Sequence, residues 1–114
     1  MQLTIHHLGL TTRDVARSAD FYVRLFDATV EPAPKTGHSF VCFGGLRLAL
    51  VPWREGDPQH HAWGDHLAVT CPAHERDVLL NRLAKLGART QEVHGRIYAH
   101  DPDGYTLEFT FQDS

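Results

Sequence analysis

A chain of 114 residues, 42% hydrophobic and 10% aromatic, has room for one ordinary globular domain and is too apolar to be a disordered segment. A formal charge of -3 gives no electrostatic case for nucleic acid or an anionic membrane, and no apolar run approaches the roughly 18 residues of a spanning helix. Cys42 and Cys71 form neither a CxxC pair nor a disulfide framework, and the first residues lack a signal-peptide layout, so a reducing cytoplasm is the expected setting.

Nine histidines are many for this length, and two of them open similar strands. "HLGLT" (His7 to Thr11) has the same form as "HLAVT" (His66 to Thr70), 59 positions later. The same offset carries "GLRLAL" (Gly45 to Leu50) onto "GYTLEF" (Gly104 to Phe109). The chain is therefore read as one domain of two repeats, about 1–52 and 65–114, joined by a Pro-, Gly- and charge-rich linker at 53–64.

In chain order, each repeat predicts a strand, a helix, then two or three strands. The first helix should be capped by Asp14 and carry an apolar stripe of Val15, Ala19, Tyr22, Leu25 and Phe26. The second should follow Pro72, with Val78, Leu79, Leu83 and Leu86 on one side and Gly87 at its C-terminus. "FGG" (Phe43 to Gly45) and "DPDG" (Asp101 to Gly104) are turn signals ahead of strands. Alternation puts Leu46, Leu48 and Leu50 on one face against Arg47 and Ala49, and Leu107 and Phe109 against Thr106, Glu108 and Thr110. It gives Cys42 and Cys71 to the apolar faces as small core residues, and His6 to the helix-facing side. His60, His61 and Trp63 fall in the linker without metal-ligand spacing.

His7, His66 and Glu108 share equivalent faces, and Ala49 is the repeat mate of Glu108. A two-fold pairing of the repeats would bring the four positions together, three able to bind a metal and one not. Two imidazoles and one carboxylate leave up to three positions of an octahedral ion open for substrate or water.

The features "HHLGLTTRDVARSADFYVRLFDA", "GDHLAVTCP" and "AKLGARTQE" with "RIYAHDPDGYTLEF" resemble the vicinal oxygen chelate superfamily (glyoxalase, bleomycin-resistance and extradiol-dioxygenase proteins) over nearly the whole chain. The resemblance implies an α+β fold of two βαβββ modules forming a curved sheet around a metal cavity, with the helices outside. It implies a divalent ion (Fe, Mn, Zn, Ni or Co) held by His7, His66 and Glu108. It also implies a homodimer whose sites are shared between chains. Ala49 stands where glyoxalase I-like enzymes carry a proton-transferring carboxylate, which counts against that activity. Fosfomycin thiol transferases and extradiol dioxygenases instead have an apolar residue there and a tyrosine ten residues before the ligand Glu, a place held by Tyr98. The serine-rich cation loop and late arginine of the fosfomycin enzymes are missing, which counts against fosfomycin itself, and extradiol enzymes are usually longer.

Arg96, Tyr98 and His100 share one strand face, and Arg47 lies on the repeat-related strand. Arg47, Arg96 and Tyr98 are the candidate substrate-binding residues. The arginines suit an anionic or oxygen-rich group, and Tyr98 is also a candidate catalytic donor to a developing oxyanion. The functional expectation is a metal-dependent enzyme acting on a small oxygen-rich molecule chelated to the ion, by O2-dependent cleavage or by thiol or water addition. The rival expectation is a non-catalytic protein that sequesters a small molecule, with no metal.

Overall fold

Asp14 opens the first helix as its sequence position predicts. Its carboxylate accepts a hydrogen bond of 3.0 Å from the Arg17 N–H, and helix α1 runs Val15–Phe26 from that cap. The computed structural model that shows this describes residues 1–2, 4–33, 37–55 and 66–113. His60, His61 and Trp63 lie outside the described residues, as does most of the expected linker. The chain divides into two units, Met1–Asp57 and Pro58–Ser114, with the boundary inside that linker.

The first unit contains β1 (Leu8–Thr12), α1, β2 (Thr29–Ala33), β3 (His38–Phe43) and β4 (Leu46–Pro52). They form a four-stranded sheet in the order β1-β4-β3-β2, with β1 parallel to β4 and the other pairs antiparallel. The alternation read from the sequence fixes which side faces α1. Val41, Leu48 and Leu50 are fully buried, with Phe21, Tyr22 and Leu25 of the helix. Phe43 stacks on Phe26 at 4.5 Å and on Tyr22 at 5.7 Å between ring centroids. Burying one such large side chain stabilises the unit by about 1.5–3 kcal/mol.

The second unit repeats the plan: β5 (His66–Pro72), a 3-10 turn at Ala73–Glu75, α2 (Arg76–Lys85), β6 (Thr90–Val93), β7 (Arg96–His100) and β8 (Thr106–Gln112). Its sheet has the matching order β5-β8-β7-β6. Here the buried apolar residues are Leu79, Leu83, Ile97, Ala99, Leu107 and Phe109. Val78, expected on the apolar side of α2, is 51% exposed. It neighbours Leu79 on a helix of ten residues that buries only Leu79 and Leu83, so its apolar stripe is narrow. Three strands follow the helix in each unit, the upper end of the expectation.

The 59-residue offset survives in the hydrogen-bond register. Gly9 pairs with Ala49 across β1 and β4, and Ala68 pairs with Glu108 across β5 and β8. Two antiparallel hairpins, at positions that are not repeat mates, share one turn form. Gly44 and Gly45 (φ 56 and 80) join β3 to β4, and His94 and Gly95 (φ 51 and 81) join β6 to β7. Positive φ at both central residues matches the right-handed twist of the flanking strands, which is why glycine recurs there. No helix among the described residues is long and apolar enough to cross a membrane.

Candidate metal centre

Register assembles the polar face of the second sheet. His66 pairs with Thr106 and Ala68 with Glu108 on one side of β8; Tyr98 pairs with Glu108 and His100 with Thr106 on the other. Side chains at directly paired positions project from the same face. His66, Glu108, Tyr98, Arg96 and His100 therefore share one surface, opposite Leu107 and Phe109. The "DPDG" turn sets the start of β8. The Asp101 carboxylate accepts the N–H groups of Asp103 and Tyr105, both at 2.9 Å, and so fixes the chain up to the residue before Thr106, where the strand starts.

Glu108 is the centre of this face. It is only 6% exposed, unusual for a glutamate, and both its oxygens are engaged. Oε1 accepts the Tyr98 hydroxyl at 2.7 Å and the Arg96 guanidinium at 3.1 Å. Oε2 faces His66 Nε2 at 3.3 Å. The Tyr98 hydrogen bond is the main cause that draws the Glu108 pKa below the usual range. Burial opposes it, and Arg96 and His66 add to the lowering. The same bond, with burial, pushes the Tyr98 pKa up. The carboxyl is thus ionised and the phenol keeps its proton near neutral pH.

This donor pair suits a divalent ion. Metal ligands must be deprotonated, and Glu108 is held in that form. Two donors at right angles around an ion, each about 2.1 Å from it, stand about 3 Å apart. The 3.3 Å between His66 Nε2 and Glu108 Oε2 matches that spacing. Ala68, beside both and exposed, leaves the surface open above them.

The other predicted residues belong to the first unit. His7 lies just before β1 and is exposed. Its ring meets the edge of Phe40 at 5.6 Å and that of His6 at 5.0 Å, with the two Nδ1 atoms 2.7 Å apart. His6, expected to face the helix, is exposed and sits against His7. Arg47 is already engaged: its Nε and terminal nitrogen donate to Glu31 at 3.1 and 2.8 Å, and its guanidinium lies 3.8 Å from the centre of the Phe40 ring. Cys42 pairs with Arg47 across β3 and β4, and its thiol lies 3.9 Å from Glu31. It is therefore on the arginine face rather than the apolar one, and half-buried. Cys71 keeps its expected place, paired with Phe111 and half-buried.

Within each unit, the described residues bring no three His, Cys, Asp or Glu side chains together as a metal set. His66 and Glu108 lie in the second unit and His7 in the first. Glu31 and Phe40 were not singled out from the sequence. Phe40 pairs with Ala49 as Tyr98 pairs with Glu108, but the 59-residue offset carries Tyr98 back to Ser39, so only the strand register shows the correspondence. Glu31 meets Arg47 only through the β2–β3–β4 register, which no local pattern shows.

Comparison with solved structures finds the same architecture elsewhere. FosX, a fosfomycin resistance protein from Mesorhizobium loti, superposes with a TM-score of 0.82 at 21% identity, covering 96% of this chain and 92% of that one. A FosX variant from Listeria monocytogenes, solved with Mn(II) and 1S,2S-dihydroxypropylphosphonic acid, gives 0.80 at 21% identity, covering 96% and 90%. An integron cassette protein from the mobile metagenome of the Halifax Harbour sewage outfall gives 0.74 at 18% identity, covering 95% and 100%. No curated protein sequence matches significantly. At such identities the likeness carries the fold, and membership rests on sequence: residues 4–109 match the family model, so the chain belongs to the glyoxalase/bleomycin resistance protein/dioxygenase superfamily.

Proposed function

We propose that this chain is a divalent-metal enzyme that binds a small oxygen-rich molecule through two of its oxygens. The observation that carries this reading is the buried, ionised Glu108 with His66 Nε2 3.3 Å from Oε2, the oxygen that Tyr98 and Arg96 do not contact. A buried carboxylate beside an imidazole has the chemistry of a ligand pair, and His7 is the proposed third ligand. The ion is one of Fe, Mn, Zn, Ni or Co. A bound ion supplies Lewis acidity, stabilising negative charge on a substrate oxygen.

The chain's own residues supply the rest. Tyr98 keeps a protonated hydroxyl beside the ligand pair, but its one O–H is donated to Glu108 Oε1, so a catalytic role toward a substrate oxygen requires that bond to switch. Arg96, with a side chain 57% exposed, has donors left for an anionic or oxygen-rich substrate group. Arg47, engaged by Glu31 and Phe40, is the weaker candidate for that task. Ala49 accepts no proton, so a glyoxalase I type of proton transfer has no base at that position. Of the remaining reactions, addition of water or a thiol to an electrophile is favoured over O2-dependent cleavage. The similar FosX variant holds Mn(II) with a vicinal diol, the type of compound that water addition produces. The proposed assembly is a cytoplasmic homodimer with sites shared between chains.

Metal analysis of protein purified without chelator tests the reading. About one ion per chain is expected in wild type, with loss in His66→Ala. No ion in either would instead support a non-catalytic binding protein that sequesters its ligand.

A further inference from the structure

The two oxygens of Glu108 are treated differently by the protein. Oε1 receives two donors, one from a phenol and one from a guanidinium, on the residues at the start and middle of β7. Oε2 receives neither and faces His66. The first sheet has no such arrangement. There the register sets Phe40 where Tyr98 stands, His38 where Arg96 stands, and Ala49 where Glu108 stands. The donors therefore occur where there is a carboxylate to hold.

We propose that Arg96 and Tyr98 are positioning residues that reserve Oε1, so that Glu108 offers a metal ion one oxygen instead of two. The inference rests on the metal reading above and deepens it. A carboxylate left free beside a divalent ion often binds through both oxygens. Two imidazoles and a one-oxygen carboxylate leave three positions of an octahedral ion, whereas a two-oxygen carboxylate leaves two. A chelating substrate fills two. Arg96 and Tyr98 thus keep one position for a second reactant, which sets this site up for a reaction of a chelated molecule with a further small partner such as water.

The guanidinium matters beyond its hydrogen bond. Tyr98 alone occupies one direction at Oε1 and leaves a second lone pair, which Arg96 takes. Arg96 is mostly exposed and contributes nothing to the buried core of this unit, so its replacement leaves the apolar side of the sheet intact.

The test counts exchangeable waters on Mn(II) bound to the full chain, by isotopic-water broadening of its electron paramagnetic resonance lines. The double variant Arg96→Met, Tyr98→Phe is expected to hold about one water fewer per ion than wild type. An unchanged count in the folded, Mn(II)-loaded double variant overturns the inference while leaving the metal reading in place. A wild-type protein that takes up none of Mn(II), Fe(II), Zn(II), Ni(II) or Co(II) ends both. If the double variant does not fold, Arg96→Met alone is read by the infrared carboxylate splitting of glutamate-labelled, Zn(II)-loaded protein. A narrower splitting than wild type is expected, and an identical one overturns the proposal. Arg96→Lys, which keeps a cationic donor, should restore the wild-type splitting.

Discussion

Glu108 stays charged because of what it touches, and that has a signature in stability. Its pKa is held down chiefly by the Tyr98 hydroxyl, against the effect of burial, with further help from Arg96 and His66. A carboxyl with a depressed native pKa adds stability that is complete above its unfolded value and is lost as pH falls through the native one. Chelator-treated wild type should therefore lose denaturant midpoint on acidification through the carboxylate range. Glu108→Gln should start lower at neutral pH, and the gap between the two should close as pH falls. A gap that stays constant would show that Glu108 ionisation does not contribute. Strand parity put Tyr98 and Glu108 on polar faces and the family resemblance supplied the ten-residue spacing, but the hydrogen bond between them was not among the expectations. The capture of Arg47 by Glu31 was hidden, since three strands must pair before the two meet. As an exposed ion pair it is worth at most about 1 kcal/mol, so it limits what Arg47 can bind more than it holds the sheet.

Elements were easier to read than faces. Asp14 as a cap, the glycines between β3 and β4 and the turn before β8 follow from local chemistry and appear where expected. Cys42 and Val78 do not, because a period of two or 3.6 sorts residues without saying how wide the buried stripe is or which register a neighbour takes. The β6–β7 turn gives a direct check. His94 sits in the left-handed region, which costs it more than asparagine, whose short amide can bond the local backbone, or glycine, which has no Cβ. His94→Asn is expected to raise stability by about 0.5 kcal/mol, read from a denaturant midpoint at constant slope. A lower midpoint would mean that the imidazole makes a favourable contact that outweighs its backbone.

At the scale of the molecule, duplication was the strongest signal in the sequence. Two short anchors at one offset proved to be two sheets of identical strand order, each with its own helix. The ion, if held as proposed, binds only the folded chain and must stabilise it by mass action. Mn(II) at about 100 times its dissociation constant should add about 2.7 kcal/mol, visible as a thermal midpoint that rises with metal and falls with chelator. His66→Ala should abolish the dependence. A midpoint indifferent to metal in wild type would contradict the ligand set.

The duplicated sheets differ where a ligand would be gained. Ala49 is 2% exposed, its cross-strand neighbour Phe40 has no hydroxyl, and Arg47 on the same face is committed to Glu31. In metal-free protein, an acid placed at position 49 alone would enter a dry site without the phenol that helps hold Glu108 ionised. Ala49→Glu should therefore cost the metal-free protein less stability when Phe40→Tyr accompanies it, so a path toward four ligands is smoother if the phenol comes first.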